Sequence, residues 1–249
     1  MNPSPEKFAA QHPWDRNYFL CMTGLAWLGI IMGFGSDLTR HLSSHEAPYP
    51  LIVHVHAVVF LAWLVLFTVQ VLLIRERKFT AHRKLGMAMG WVAALMILLG
   101  PATALTVKHL QMNQPGADPA FLGVQLTDML AFAGLVGAGI WWRKDAASHK
   151  RLVLLGTLYI TDAGFARWLA GALIHLLGDG SGATWIAFYF GPNVLMLGAG
   201  LYDLATRRRL HPAYLAGIAW VLTNQFTGVY LLTSTPWTEF AKKVIAFWP

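Results

Sequence analysis

Seven stretches of about twenty mostly apolar residues divide this chain, and twenty residues is the length at which an α-helix crosses the hydrocarbon core of a bilayer. They run Asn17–Ser36, Leu51–Ile74, Leu85–Val107, Phe121–Trp142, Leu152–Leu176, Trp185–Ala205 and Ala213–Thr233. Backbone groups in lipid must be satisfied within the segment, so each run reads as a helix. Hydrophobic residues make up 56% of the chain and charged residues 12%, about half the charged share of an average soluble domain. The expected fold is all-α: a single transmembrane domain over residues 1–249, built as a polytopic bundle of seven helices. None of the runs has the form of a cleaved signal, because the first 16 residues are polar and no cleavage site follows the first span.

The net charge of +7 is distributed by loop. About fourteen of the 19 Lys and Arg fall in the N-terminal segment and in the loops "RERKFTAHRK", "RKDAASHKR" and "RRR" at Arg207–Arg209. The alternate side holds Arg40, Lys108, Lys242 and Lys243. By the positive-inside rule the N-terminus is cytoplasmic and the C-terminus external. The basic excess is therefore topological, and no nucleic-acid partner is implied. Cys21 is the single cysteine, which excludes an internal disulfide and any Cys-based metal motif.

Three segments, "AHRKLG", "SHKRLVLLG" and "LHPAYLAG", each place a histidine at the basic mouth of a span, a weak echo of tandem helical hairpins. The tail "PWTEFAKKVIAFWP" repeats Trp237, Phe240, Val244, Phe247 and Trp248 at helical spacing. It reads as a short C-terminal interfacial helix that anchors rather than catalyses. "RHLSSHE" has an HxxxH spacing, but its Ser-rich surroundings favour a surface loop with solvated histidines.

Within the spans lies a layer of polar residues. His56, Trp63 and Gln70 recur every seven residues and share one stripe of the second span, whereas His54 points about 200° away from His56. Counted up from the basic loops, Asp128, Asp162, Asn193, Asn224 and Gln225 stand roughly 13 to 15 residues deep, with Arg167 and His56 roughly 18 to 19 deep. Intramembrane ionisable groups face the bundle interior and pair with one another. The expected pair is Arg167 with Asp128, with Asp162 as a second acceptor.

"RNYFLCMTGLAWLGIIMGF", "HVHAVVFLAWLVLFTVQVLL", "HRKLG" and "HKRLVLLGTLYITDAGFAR" together resemble an uncharacterised family of bacterial inner-membrane proteins. The family pattern is a histidine pair followed by Trp and Gln on one helix, an HR-x-LG entry to the next, and a later HKR before a helix ending in Arg. The resemblance covers roughly the first two thirds of the chain. It implies a bacterial inner-membrane location and singles out His54, His56, Trp63, Gln70, His82, Arg83, His149, Arg151 and Arg167, with no activity attached.

Four functions compete. A redox protein holding haem b or quinone would use His56, Gln70, His82, His149 and Arg167. His82 and His149 match in depth on separate spans but lie at the surface among Arg and Lys, which handicaps bis-histidine haem. His56 has no histidine at its own level, which leaves a singly ligated haem or a quinone bonded by His56. A metal hydrolase resembling the ceramidase and adiponectin-receptor superfamily would need an HxxxH in the seventh span, which is missing. His56, Asp128 and Asp162 would be an unusual zinc set. A transporter or proton-coupled small-anion binder would build its site from Arg167, the carboxylates and the amides. An accessory subunit of a membrane complex would use small-residue faces such as "GLVGAGI". The redox cofactor is the favoured reading of the sequence, and His56→Ala is expected to perturb it more than His54→Ala.

Overall fold

The computed structural model describes residues 8–44 and 48–248. It consists of α1 (Asp15–Ser43), α2 (Leu51–Arg75), α3 (Phe79–Gln111), a 3-10 turn (Pro119–Phe121), α4 (Leu122–Trp141), α5 (Ala146–Tyr159), α6 (Asp162–Leu177), α7 (Ser181–Arg207), α8 (Pro212–Thr233) and α9 (Thr235–Phe247). No strand is present among the described residues. Six helices are long and apolar enough to cross a membrane on their own, and α5 with α6 forms a further apolar unit bent by 47°. The chain is thus an integral membrane protein of six or seven spans.

Helix ends follow local chemistry. Asp145 caps α5 by accepting from the backbone N–H groups of Ala147 and Ser148. The Ser148 hydroxyl donates to the same carboxylate at 2.5 Å and holds it below the usual carboxylate range. Pro212 starts α8, where a missing N–H costs nothing, and the His211 ring accepts from Ala213 N–H at 3.1 Å. The apolar run Leu152–Leu176 does not form one helix. It breaks at Ile160 and Thr161, where the Thr161 hydroxyl donates back to the Leu158 carbonyl at 2.6 Å.

The helices also outrun their apolar windows. α1 continues through Arg40 and His41 to Ser43, with the Thr39 and Ser43 hydroxyls donating to the carbonyls four residues back. The loop expected for "RHLSSHE" is therefore helical in its first half, while His45 and Glu46 lie outside the described residues.

Around the bundle α1, α2, α3, α4, α8, α7 and α6 follow one another, each packed on the next. α5 is the most enclosed, touching α1, α4, α7 and α8. Trp63, Phe132, Tyr159 and Tyr189 fill the core and are almost completely buried. Large apolar side chains such as Val58, Trp91, Leu98 and Tyr230 face outward, which suits contact with lipid tails.

Close crossings depend on glycine. A Cβ on Gly33 of α1 would stand 2.0 Å from the Gly164 carbonyl oxygen of α6, so two backbones meet there directly. In "GLVGAGI", Gly134 makes room for Trp220 of α8 and Gly139 for Val153 of α5. Only Gly137 of that stretch faces open space, so most of this small-residue surface is used inside the chain.

Candidate functional site

The buried polar layer resolves into two separate clusters. In the first, Asp128 of α4 accepts from the Tyr159 hydroxyl at 2.6 Å and from the Tyr189 hydroxyl at 3.1 Å. The tyrosine rings stack at 6.1 Å, and Asp162 of α6 stands beside Asp128. Both acids are enclosed. Two enclosed carboxyl groups side by side do not both carry charge, so a proton stays on the pair. Asp162 opens α6, so the break between α5 and α6 sets its carboxyl group beside the unpaired N–H groups of a helix start. Gly228 of α8 permits the approach, since a Cβ there would sit 2.7 Å from the Thr127 hydroxyl and 3.3 Å from that of Tyr189.

The second cluster is a closed amide pair. Gln225 Nε2 donates to Asn193 Oδ1 at 2.8 Å, and Gln225 Oε1 accepts from Asn193 Nδ2 at 3.3 Å and from Trp185 Nε1 at 3.1 Å. Asn224 turns back on its own helix and donates to the Trp220 carbonyl at 2.8 Å. These bonds satisfy amides that would otherwise be costly in a membrane interior and fix α7 against α8.

The expected pair of Arg167 with Asp128 does not form. Arg167 Nε donates to Asp37 of α1 at 3.2 Å, Nη1 donates to the Ala163 carbonyl at 3.0 Å, and the guanidinium lies 4.5 Å from the Phe34 ring centre. Its side chain is 43% exposed. A long side chain high on α6 can carry its charge to the bundle periphery, which costs far less than burying it beside Asp128. Asp37 escaped the sequence reading because it lies one residue beyond the apolar run that ended at Ser36.

The stripe on α2 is as expected: Trp63 and Gln70 are buried, His56 is half-buried and His54 is exposed. His56 stacks on Phe60 with ring centres 3.9 Å apart, and its Nδ1 is shielded from solvent without a hydrogen-bond partner. Gln70 Nε2 donates to the His82 carbonyl at 3.2 Å, leaving Oε1 buried and unpartnered.

His82 and His149 come together at the basic end with ring centres 6.3 Å apart and planes at 81°. His211, the third histidine of the repeated motif, instead caps α8; burial and then the nearby Arg151 hold its pKa below the usual imidazole value of 6.5. His109 contacts the Ile245 carbonyl through Nδ1 at 2.9 Å and ties α3 to α9. Among the described residues no group of three or more His, Cys, Asp or Glu side chains could hold a metal ion, so His56, Asp128 and Asp162 do not form a metal site.

Sequence reasoning also passed over an ionic lock at the basic end. Arg151 of α5 donates from Nε and Nη2 to the two carboxylate oxygens of Asp203 at 2.6 and 2.5 Å, deep in the protein. Arg207 and Lys150 both bond Asp15, and Tyr202 donates to it at 2.7 Å. The visible signal was an acid, Asp203, inside an apolar run next to three arginines. Its paired charges join α1, α5 and α7.

Comparisons with family models, curated proteins and solved structures find no match for this chain.

Proposed function

We propose that this is an integral membrane protein that binds and releases one proton at the Asp128–Asp162 pair in the interior of the bundle. The observation that carries this reading is Asp128 itself, enclosed, bonded by Tyr159 and Tyr189 and set beside a second acid. A purely structural polar contact is satisfied by neutral amides, as Asn193 and Gln225 are. Two acids add a proton that can be exchanged. The route outward runs along α6, from Asp162 towards the half-exposed Arg167 and Asp37. Infrared difference spectra of reconstituted protein should contain a protonated-carboxyl band that shifts in D2O and disappears in Asp128→Asn and Asp162→Asn. A band unchanged in both folded variants would overturn the reading.

A redox cofactor is the second reading, and it rests on the histidines. The buried, unpartnered Nδ1 of His56 suits a hydrogen bond to a quinone carbonyl, and the His82–His149 pair suits the axial positions of haem b. Proton exchange at Asp128–Asp162 would serve either cofactor or a proton-coupled carrier. The small-anion variant is weakened because Arg167 is already engaged by Asp37 and Phe34. An accessory-subunit role gains little from "GLVGAGI", whose Gly134 and Gly139 pack within the chain. The charge distribution supports an inner-membrane protein with its basic end in the cytoplasm.

A further inference from the structure

Three polar groups with unused bonding capacity meet where α2, α3 and α5 reach the basic end. His149 Nδ1 is 2.8 Å from the Gly139 carbonyl oxygen, which can only accept, so Nδ1 carries the proton and Nε2 keeps a free lone pair. A backbone carbonyl on one ring nitrogen is the usual way a metal-binding histidine is oriented. The backbone carbonyl of His82 accepts from Gln70, and its ring Nδ1 is shielded from solvent with no partner and so is open to a ligand. Gln70, itself 7% exposed, leaves Oε1 unpartnered beside the same residue.

The ring separation points the same way. Imidazole nitrogens bind a transition metal at about 2.0 Å, so two rings on opposite sides of one ion have centres roughly 6 Å apart. His82 and His149 stand at 6.3 Å. Two imidazoles with an amide oxygen nearby favour a first-row transition metal over calcium or magnesium. Arg83 follows His82, and Arg143 and Lys144 precede α5. This positive setting penalises a dication more than a monovalent cation and an anionic macrocycle least.

We propose that His82 and His149 ligate one transition-metal ion between α3 and α5, with the Gln70 amide oxygen alongside, taken either as a bare cuprous ion or as haem iron. The inference rests on the redox reading and is independent of the proton at Asp128–Asp162. The full-length protein in detergent, stripped with a chelator, is titrated with Cu(I) against a chromophoric cuprous chelator and, separately, with haemin followed by its absorption spectrum.

One equivalent of Cu(I), bound at least tenfold more weakly in both His82→Asn and His149→Asn, establishes the bare ion. A bis-imidazole haem spectrum that is lost in both variants establishes haem iron. His54→Asn, at an exposed position on α2, should bind as the parent does. X-ray absorption of the loaded parent protein supplies a readout that needs no variant: imidazole scattering from two ligands supports the site, and its absence overturns it. Folded parent protein that takes up neither probe, or binding unchanged in both histidine variants, also overturns it. That failure would leave a quinone at His56 standing, which is tested separately: redox-linked absorbance of added quinone should then be lost in His56→Ala and kept in His82→Asn.

Discussion

At the scale of single residues, the Asp128 carboxylate shows how this protein keeps an acid in its interior. Tyr159 lies in the last turn of α5 and its hydroxyl is the shorter contact at 2.6 Å; Tyr189 reaches from α7 at 3.1 Å. Removing a donor from a buried acceptor costs about 1 to 3 kcal/mol. Tyr159→Phe should therefore lower the thermal midpoint in detergent more than Tyr189→Phe, and equal shifts would contradict the ranking. Both variants should move the infrared carboxyl band while leaving it present. Neither tyrosine emerged from the sequence, and the reason is physical. Depth counting detects groups that are expensive in oil, and a tyrosine is mostly ring, so it passes as ordinary core. Asp128, Asp162, Asn193, Asn224 and Gln225 were visible for the opposite reason. Their depth was legible, but depth gives no angle around the helix, and the amides closed on each other or on their own helix instead of joining the acids.

At the scale of elements, the helices were legible because a run of twenty apolar residues has few alternatives in a membrane. The break between α5 and α6 was not, because Leu152–Leu176 is apolar on both sides of it and only the Thr161 hydroxyl marks the interruption. The ionic lock makes a sharper claim about how elements hold together. Arg151 and Asp203 are both almost fully enclosed, so Asp203→Ala leaves a guanidinium without its partner and should cost about 3 to 5 kcal/mol. The double variant Arg151→Met with Asp203→Leu should recover most of that loss in a thermal melt, and a double variant as unstable as the single would show that the charges themselves are needed. The cap on α8 adds a pH dependence. Because burial and Arg151 depress the His211 pKa, the folded state binds fewer protons there than the unfolded chain. The cap's contribution is complete above 6.5 and is lost as pH falls from there through the depressed value. His211→Asn, which caps without titrating, should flatten the decline in thermal midpoint between about pH 7 and about pH 5. A decline as steep as the parent's would assign it to other groups.

At the scale of the whole molecule, the two ends of the bundle are chemically unlike. Arg75 bonds the Arg16 carbonyl, Arg207 bonds Asp15, and His82 meets His149, so the N-terminal segment and the three most basic loops share one end. At the other end Arg167 meets Asp37, His109 contacts the Ile245 carbonyl, and Trp248 donates to Thr106 at 3.0 Å. α9 belongs to that second end, with Ala241 and Ile245 packed against Ala104 and Leu122 while Phe240 and Phe247 remain exposed. An exposed aromatic edge on a helix docked across the end of a bundle suits the membrane interface. With α5 and α6 counted as one broken span beside the six long helices, the chain crosses seven times, and an odd count puts its two termini at opposite ends. Under the orientation proposed above, with the basic end in the cytoplasm, the C-terminus is expected outside. An alkaline phosphatase fusion after Pro249 should be active and a green fluorescent protein fusion dark, with the reverse pattern for fusions in the loop after Arg208. A fluorescent C-terminal fusion would mean an even number of crossings, and α5 and α6 would then form a re-entrant hairpin that turns back within the membrane.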